Sequence, residues 1–298
     1  MNAFAASRTT LRQALDAERP LVTPLAHDAL SARLIARAGF RAFAIGGSAM
    51  LASRFGLPDV GLIGLADMAA GIRDIAAATP LPFLADGDDG YGDVKSVART
   101  VETYEMLGVG GILIEDQQRE RKQQRAERAL GVVDREVIEQ KLRVALAVRR
   151  SPELLVIGRT DAFGVAGLDE ALRRAERFLA LGVDAVFVAG LKAIEDYERV
   201  GRELRGARLS AALFETPGMP WPSPSELGRL GFSHVSFPAS LMFRITSVMS
   251  ETLAALRAHA EGRATMAQDA RAGDARQTLD EAVDLARWQR IEREFQGT

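Results

Sequence analysis

Leu81-Pro82-Phe83-Leu84-Ala85-Asp86-Gly87-Asp88-Asp89-Gly90-Tyr91-Gly92-Asp93 is an apolar run that stops abruptly in four carboxylates interspersed with three glycines. An apolar segment of the length of Leu81 to Ala85 reads as a buried strand. The glycines beyond it let the backbone turn tightly or come close to a ligand. Carboxylates gathered at a strand's end are hard oxygen donors, suited to Mg²⁺ or Mn²⁺ rather than to softer metals. Aspartate and glycine also dominate ordinary turns, so the same residues fit an acidic surface loop. The rest of the chain decides between the two.

Seven further segments share the pattern: Leu21–Leu25, Ala42–Ile45, Gly111–Ile114, Leu154–Gly158, Ala185–Val188, Leu209–Phe214 and His234–Phe237. Each is of strand length and none alternates cleanly with polar residues, as expected of strands covered on both faces. Between them the period changes to that of a helix. Leu168, Ala171, Leu172, Ala175, Phe178 and Leu179 fall on one face, with arginines and glutamates opposite. Ser223-Pro224-Ser225-Glu226 supplies an N-cap, a first-turn proline and a capping-box glutamate. Eight β units with helices between them predict an α/β fold of the (β/α)₈ barrel type; a doubly wound open sheet is the alternative.

The chain has 298 residues, a length that one such barrel fills. The barrel is expected over about 15–260, a polar connector over 261–276 and a C-terminal helix over 277–296, where Leu285, Trp288, Ile291 and Phe295 recur every three or four residues. That helix has little barrel left to cover, so it is expected on a neighbouring subunit or across its own barrel's base. Ala49–Leu65 reads as an extended insert after the second strand. Gln117–Gly131 reads as a long charged segment after the fourth, either a solvated surface or a mobile lid.

Composition excludes several classes. With 38 basic and 40 acidic residues the formal net charge is −2, which makes no case for nucleic acid or an anionic membrane as partner. The absence of cysteine removes disulfides, thiolate metal sites and a cysteine nucleophile. No stretch approaches the ~20 apolar residues of a membrane span, and Met1–Leu15 lacks an apolar signal core. A soluble cytoplasmic protein is the expectation. Three scattered histidines, His27, His234 and His259, give no zinc pattern, and Ser48 has no relay partner in sequence for a hydrolase triad.

Barrels of this kind bind ligands at the C-terminal ends of their strands. Those positions hold Gly46-Gly47-Ser48, Asp86 and Asp88, Glu115-Asp116-Gln117, Arg159-Thr160-Asp161 and Glu215-Thr216. Acids and one arginine on a shared rim are suited to a divalent cation and a doubly charged organic acid. The arginine clamps a carboxylate through two parallel bonds, and glycine amides take a second oxyanion.

Taken in order, Ser31-Ala32-Arg33-Leu34, Ala38-Gly39-Phe40, Gly46-Gly47-Ser48, Gly56-Leu57-Pro58-Asp59, Ala85-Asp86-Gly87-Asp88-Asp89-Gly90-Tyr91-Gly92, Ile114-Glu115-Asp116-Gln117 and Arg159-Thr160-Asp161-Ala162 resemble the isocitrate lyase/phosphoenolpyruvate mutase superfamily over roughly residues 20–245. The resemblance implies a (β/α)₈ barrel, usually a homotetramer (a dimer of dimers) exchanging its late helices. It implies Mg²⁺ near Asp59, Asp86, Asp88 and Glu115, Arg159 on the substrate, and 2-oxo or 2-hydroxy di- and tricarboxylates or phosphonopyruvate as substrates. The lyase branches carry a Lys-Arg/Lys-Cys-Gly-His block after the fourth strand; here the equivalent stretch is Arg121-Lys122-Gln123-Gln124-Arg125. Their sixth-strand glutamate is replaced by Ala189 and their seventh-strand asparagine by Ala212, although Glu215 fits the pattern. The oxaloacetate decarboxylase branch also lacks the cysteine, but its eighth-strand histidine falls on Pro238 here.

Retro-aldol cleavage needs a base for the 2-hydroxyl and an acid for the departing carbanion. Decarboxylation of a 2-oxo diacid needs less, since the metal stabilises the enolate and CO₂ leaves without a proton. The expectation is a Mg²⁺-dependent (or Mn²⁺-dependent) carboxy-lyase acting on oxaloacetate or a similar 2-oxo dicarboxylate. Asp86, Asp88 and Glu115 would hold the metal, with Asp59 in its water shell. Arg159, Gly46, Gly47, Ser48 and Glu215 would bind substrate, and Tyr91 and Lys122 would touch the enolate or close a lid. The alternatives are a carbon–carbon lyase of the 2-methylisocitrate or 2,3-dimethylmalate type with a non-cysteine acid, Lys122 or Arg121, and a metal-binding barrel without turnover.

Overall fold

The computed structural model describes residues 9–122 and 130–296. Helix α1 (Leu11–Ala17) opens on a capping box in which the Gln13 amide donates to Thr10 Oγ1 and the Thr10 amide donates to Gln13 Oε1. Eight strands follow: β1 (Leu21–Pro24), β2 (Phe43–Ile45), β3 (Phe83–Asp86), β4 (Gly111–Glu115), β5 (Leu155–Thr160), β6 (Ala185–Val188), β7 (Leu209–Ala212) and β8 (Phe232–Phe237). All pair in parallel in the order β1-β8-β7-β6-β5-β4-β3-β2. A bridge between Leu25 and Ala44, with the Ala26 amide 2.8 Å from the Ala44 carbonyl, joins the remaining edges. The sheet is thus a nearly closed (β/α)₈ barrel, as expected from the eight apolar segments.

Around it lie α2 (Ala29–Arg37), α3 (Gly47–Phe55), α4 (Leu65–Ala76), α5 (Val94–Met106), α6 (Arg135–Val148), the single turn α7 (Phe163–Ala166), α8 (Leu168–Leu181), α9 (Ile194–Glu203) and α10 (Pro224–Arg229). The chain ends in α11 (Ser240–Ala260), α12 (Ala272–Ala282) and α13 (Leu285–Phe295). Alternate residues of each strand enter two different cores, which is why the strands read as unbroken apolar runs. Phe43, Phe83, Ile112, Ile114, Val156 and Val186 face the helices, whereas Leu84, Leu113, Leu155, Ile157 and Phe187 fill the barrel.

The base of the barrel is closed by α1, which places Leu11 and Leu15 beside Leu84, Leu155 and His234. His234 is buried between the hydroxyls of Thr23, 2.8 Å away, and Ser210, 2.7 Å away. Burial keeps its imidazole neutral and pushes its pKa down to about 4. It sits far from the rim, as its place early in the eighth strand implied.

Three expectations change. The segment expected to be an extended insert, Ala49–Leu65, begins as α3, because Ala49, Met50 and Leu51 bury a helical face before Gly56, at φ 65°, ends it. The C-terminal helix is two helices, broken at Asp284, whose φ is 57°, and α12 starts inside the predicted connector. These helices do not cross the base, which α1 occupies. Instead α12 lies on α2, where Arg33 Nη1 donates to the Ala282 carbonyl at 2.9 Å and Arg37 pairs with Glu281. No residue of α11 is buried, and Phe243, Val248, Met249 and Leu253 are exposed along it. Among the described residues, no helix is long and apolar enough to cross a membrane.

Candidate metal and carboxylate site

The opening acidic stretch divides its carboxylates between two tasks. β3 delivers Asp86 to the rim, and Gly87 follows so close to β4 that a Cβ there would stand 2.6 Å from the Leu113 carbonyl. The backbone then reverses through Asp88, at φ 46°, a conformation that costs a non-glycine residue energy and collects at functional sites. Asp86 Oδ1 accepts the Asp88 amide at 3.0 Å, so the pair is set by its own turn. Asp89 points elsewhere, accepting from Arg119 Nη2 at 2.9 Å, while its carbonyl takes Lys141 Nζ at 2.7 Å. Asp93 caps α5 by accepting the amides of Lys95 and Ser96.

β4 brings Glu115 alongside, in register with Arg159 on β5. Oxygens of Asp86, Asp88 and Glu115 lie within 4.8 Å of one another. Arg159 bridges inward, its Nη1 2.9 Å from Glu115 Oε2 and its Nε and Nη2 each 2.9 Å from the two oxygens of Asp161. Asp116, fully buried, fixes the β4–β5 corner by accepting from Thr160 Oγ1, the Asp161 amide and Arg174 Nη1. Arg174 belongs to the helix face expected to be solvated, but turns in to make this bond.

Lys122, expected to touch the enolate or close a lid, is held among the acids themselves. Its ammonium lies 2.5 Å from Asp88 Oδ1, 3.1 Å from Asp59 Oδ1 and 3.9 Å from Glu115 Oε1. Burial works against its charge, but Glu115, Asp88, Asp86 and Asp59 outweigh that and keep it protonated above its ordinary range. The turn before it is anchored, with Arg119 Nη1 on the carbonyls of Gly61 (3.1 Å) and Ile63 (2.7 Å). Arg119 and Lys122 are therefore anchored into the site, although Glu120 between them is exposed; the expectation for 123–129 lies outside the described residues.

The cluster fits a divalent cation. Burial first, then the charge of Asp86, pushes the Asp88 carboxyl up to about 6, and burial also raises Glu115 well above the carboxylate range. Carboxyls held uncomfortably in this way gain from a divalent charge. Asp88 Oδ2 is buried without a hydrogen-bond partner. A Cβ at Gly47 would stand 3.8 Å from Asp88 Oδ1 and 3.9 Å from Asp86 Oδ2, so glycine keeps this space clear. Gly47 is also the first residue of α3, whose leading amides have no partner within the helix and suit an oxyanion.

These residues edge a cavity of about 340 Å³ at the C-terminal mouth of the barrel. Gly46, Ser48, Asp59, Asp86, Gln117, Lys122, Arg159 and Asp161 line its polar side, from β2 to β5. Leu25, Phe187, Ala189, Leu191, Ala212, Phe214, Met219, Pro220 and Pro238 line the opposite side, from β6 round to β1. Ala189, Ala212 and Pro238, the positions that depart from the lyase and decarboxylase patterns, thus all face the cavity.

Of the predicted residues, Gly47, Asp88 and Glu115 stand just behind this lining, Asp88 on Lys122 and Glu115 on Arg159, and two lie away from it. Tyr91, at φ 59°, turns its hydroxyl to Tyr104 (3.0 Å) and its ring under Arg119 (5.3 Å), behind β3. Glu215 pairs with Arg244 of α11, 2.5 Å from its Nη2, outside the cavity. Sequence reasoning underrated Asp161 and Gln117, whose buried Oε1 has no hydrogen-bond partner; both stood in the strand-end motifs, but nothing local distinguished them.

A family model described as phosphoenolpyruvate phosphomutase matches residues 11–257. The chain is 33% identical to 2,3-dimethylmalate lyase of Eubacterium barkeri, over 83% of this chain and 85% of that one. It is 37% identical to an oxaloacetate decarboxylase of Rhodopseudomonas palustris, over 70% and 68%. Its structure matches that of oxaloacetate acetylhydrolase in complex with the inhibitor 3,3-difluorooxalacetate, with a TM-score of 0.86, 28% identity and 96% of each chain covered. The match over most of the barrel, together with these relatives, shows that the chain belongs to the phosphoenolpyruvate phosphomutase family of the PEP mutase/isocitrate lyase superfamily.

Proposed function

We propose that the chain is a Mg²⁺- or Mn²⁺-dependent carbon–carbon lyase, and specifically a carboxy-lyase acting on oxaloacetate or a similar 2-oxo dicarboxylate. Asp86, Asp88 and Glu115 would hold the metal, with Asp59 beside them. When bound, the metal supplies positive charge against the 2-oxo oxygen and its neighbouring carboxylate. Arg159, already oriented by Asp161, and the amides of Gly47 and Ser48 would fix the carboxylate end. The C3–C4 bond then breaks, its electron pair passes toward the 2-oxo oxygen, CO₂ leaves, and the resulting enolate takes a proton at C3 from water to give the shortened 2-oxo acid.

One observation carries the preference for decarboxylation. Opposite the acidic cluster the described wall offers Phe187, Ala189, Ala212, Phe214 and Pro238, with no carboxylate, histidine or cation; its hydroxyls are Ser236, which donates to the Ala211 carbonyl, and Tyr197, whose acidity burial weakens. A retro-aldol cleavage needs a proton donor facing the departing carbon; CO₂ itself leaves without one, and the enolate that remains can be protonated afterwards by water. A departing carboxylate on an apolar wall also loses its charge as the bond breaks, which such a wall favours.

The second reading, a 2-hydroxy-acid lyase, is favoured by the identity to 2,3-dimethylmalate lyase. It would cast the Lys122 ammonium as acid. The two separate in one assay with Mg²⁺: pyruvate and CO₂ from oxaloacetate, faster than Mg²⁺ alone releases them, against a second organic acid from a 2-hydroxy substrate. Asp86→Ala is expected to abolish the enzymatic rate. Activity that survives this substitution overturns the metal-site assignment, and metal binding without turnover on any diacid would leave a binding barrel. The unburied apolar length of α11 supports a homo-oligomer.

A further inference from the structure

The two sides of the cavity differ in what they can hold. Among the described residues, the cationic side chains that line it are Lys122 and Arg159, both on the β2–β5 side. Each is already engaged, Lys122 by Asp59 and Asp88, Arg159 by Glu115 and Asp161. Lys192, next to Leu191 in sequence, is exposed and does not line the cavity, and Arg244 is spent on Glu215 outside it. On the far wall Ser236 and Tyr197 also line the cavity; the Ser236 hydroxyl donates to the Ala211 carbonyl at 3.3 Å, and the Tyr197 ring is buried against Phe232, so the wall offers hydroxyls but no charge. A second carboxylate placed there would be desolvated without a countercharge, which is costly. Phe187, Ala189, Leu191, Ala212, Phe214 and Pro238 instead form an apolar surface running from beneath Arg159, whose guanidinium lies 5.4 Å from the Phe187 ring centre, out to the mouth. Small residues on β6 and β7 leave room on that surface, and Phe214 closes it as a half-exposed edge.

We infer that, among the 2-oxo dicarboxylates of the preceding proposal, the preferred substrate carries an alkyl or aryl substituent at or beyond C3, seated on the β6–β8 wall, in preference to unsubstituted oxaloacetate and with no cation gripping its far end. This rests on the preceding proposal in that the 2-oxo carboxylate end occupies the β2–β5 side. The wall then selects among 2-oxo acids by apolar contact, and a carboxylate due to leave as CO₂ meets no countercharge there.

Binding of unreactive 2-oxo acids tests this without turnover. Calorimetric titration of the Mg²⁺-loaded protein would use oxalate, pyruvate, 2-oxobutanoate, 2-oxopentanoate, 2-oxohexanoate and 2-oxoglutarate. Affinity is expected to rise about three- to fourfold with each added methylene. 2-Oxopentanoate is expected to bind at least tenfold more tightly than 2-oxoglutarate, which has the same chain length but ends in a carboxylate. In Phe214→Ala the affinity ratio of 2-oxohexanoate to pyruvate is expected to fall. If oxalate binds only with Mg²⁺ while affinity stays flat along the series, or 2-oxoglutarate binds more tightly than 2-oxopentanoate, the apolar-wall inference is overturned alone. If oxalate does not bind with Mg²⁺, the 2-oxo-acid reading of the site falls, and the inference with it.

Discussion

Lys122→Met removes one charge from the acidic cluster and keeps an unbranched apolar stem. The ammonium is buried against Asp88 and Asp59, with Glu115 a little farther off. Deleting one partner of a buried pair costs about 3–5 kcal/mol, because the opposite charges remain without compensation. At roughly 2 °C per kcal/mol for a chain of this size, the metal-free variant should melt ~6–10 °C below the wild type. Protonation offsets part of this at low pH. Asp88, with its folded pKa raised to about 6, contributes stability below its unfolded value that is lost as pH rises through 6. The comparison therefore belongs at pH 8, where the repulsion is fully expressed. A divalent cation among the same oxygens replaces the missing charge, and in the wild type it must compete with the ammonium. At one hundred times its dissociation constant a ligand adds about 2.7 kcal/mol. Scanning calorimetry with and without Mg²⁺ should show a larger rise in melting temperature for the variant, and titration should show tighter Mg²⁺ binding. An equal deficit with and without metal, or weaker binding by the variant, refutes the placement of Lys122 and the metal at one centre.

Within the cluster, five carboxylates (Asp59, Asp86, Asp88, Glu115 and Asp161) face two cations, so an anionic substrate is repelled until a divalent cation enters. Oxalate binding should accordingly vanish in a chelator; binding that persists contradicts this ordering. His234, with its pKa lowered from 6.5 to about 4 by burial, binds fewer protons folded than unfolded, so its contribution is present above 6.5 and lost as pH falls toward 4. Between pH 7.5 and 5 urea denaturation should show a loss of about 2 kcal/mol from this residue; the same loss in His234→Gln would assign it elsewhere. The exposed apolar residues of α11 should be covered in solution, so sedimentation should give a multiple of 32.2 kDa, and Leu253→Glu should shift it toward one chain; a wild-type monomer at micromolar concentration contradicts this.

The barrel was legible because strands buried on both faces advertise themselves as apolar runs, and the rim because each run ends where polar residues begin. Asp86, Asp88, Glu115 and Arg159 could be gathered from that alone, since adjacent parallel strands place their ends side by side. Residues beyond the strand ends depended on backbone turns and distant partners. Tyr91 follows Asp88 by three residues, yet a left-handed φ at both swings its hydroxyl behind the strand to Tyr104. Glu215 was misplaced because its partner, Arg244, lies on a helix 29 residues later. Lys122 sat in a run that reads as solvated surface, and became buried only through Asp59, Asp88 and Glu115 from three other segments. Ala189, Ala212 and Pro238 are the opposite case, since they form no motif and would pass unnoticed in any other setting. Only their positions at the ends of β6, β7 and β8 turn them into the wall that faces the acids. A site's donors can be read from charged residues in a sequence, but the reaction depends as much on what stands across from them. Among the described residues that is a surface with no charge to offer, whose hydroxyls, Ser236 and Tyr197, are weak acids, and this supports the proposal that CO₂ is lost there rather than a departing carbanion protonated.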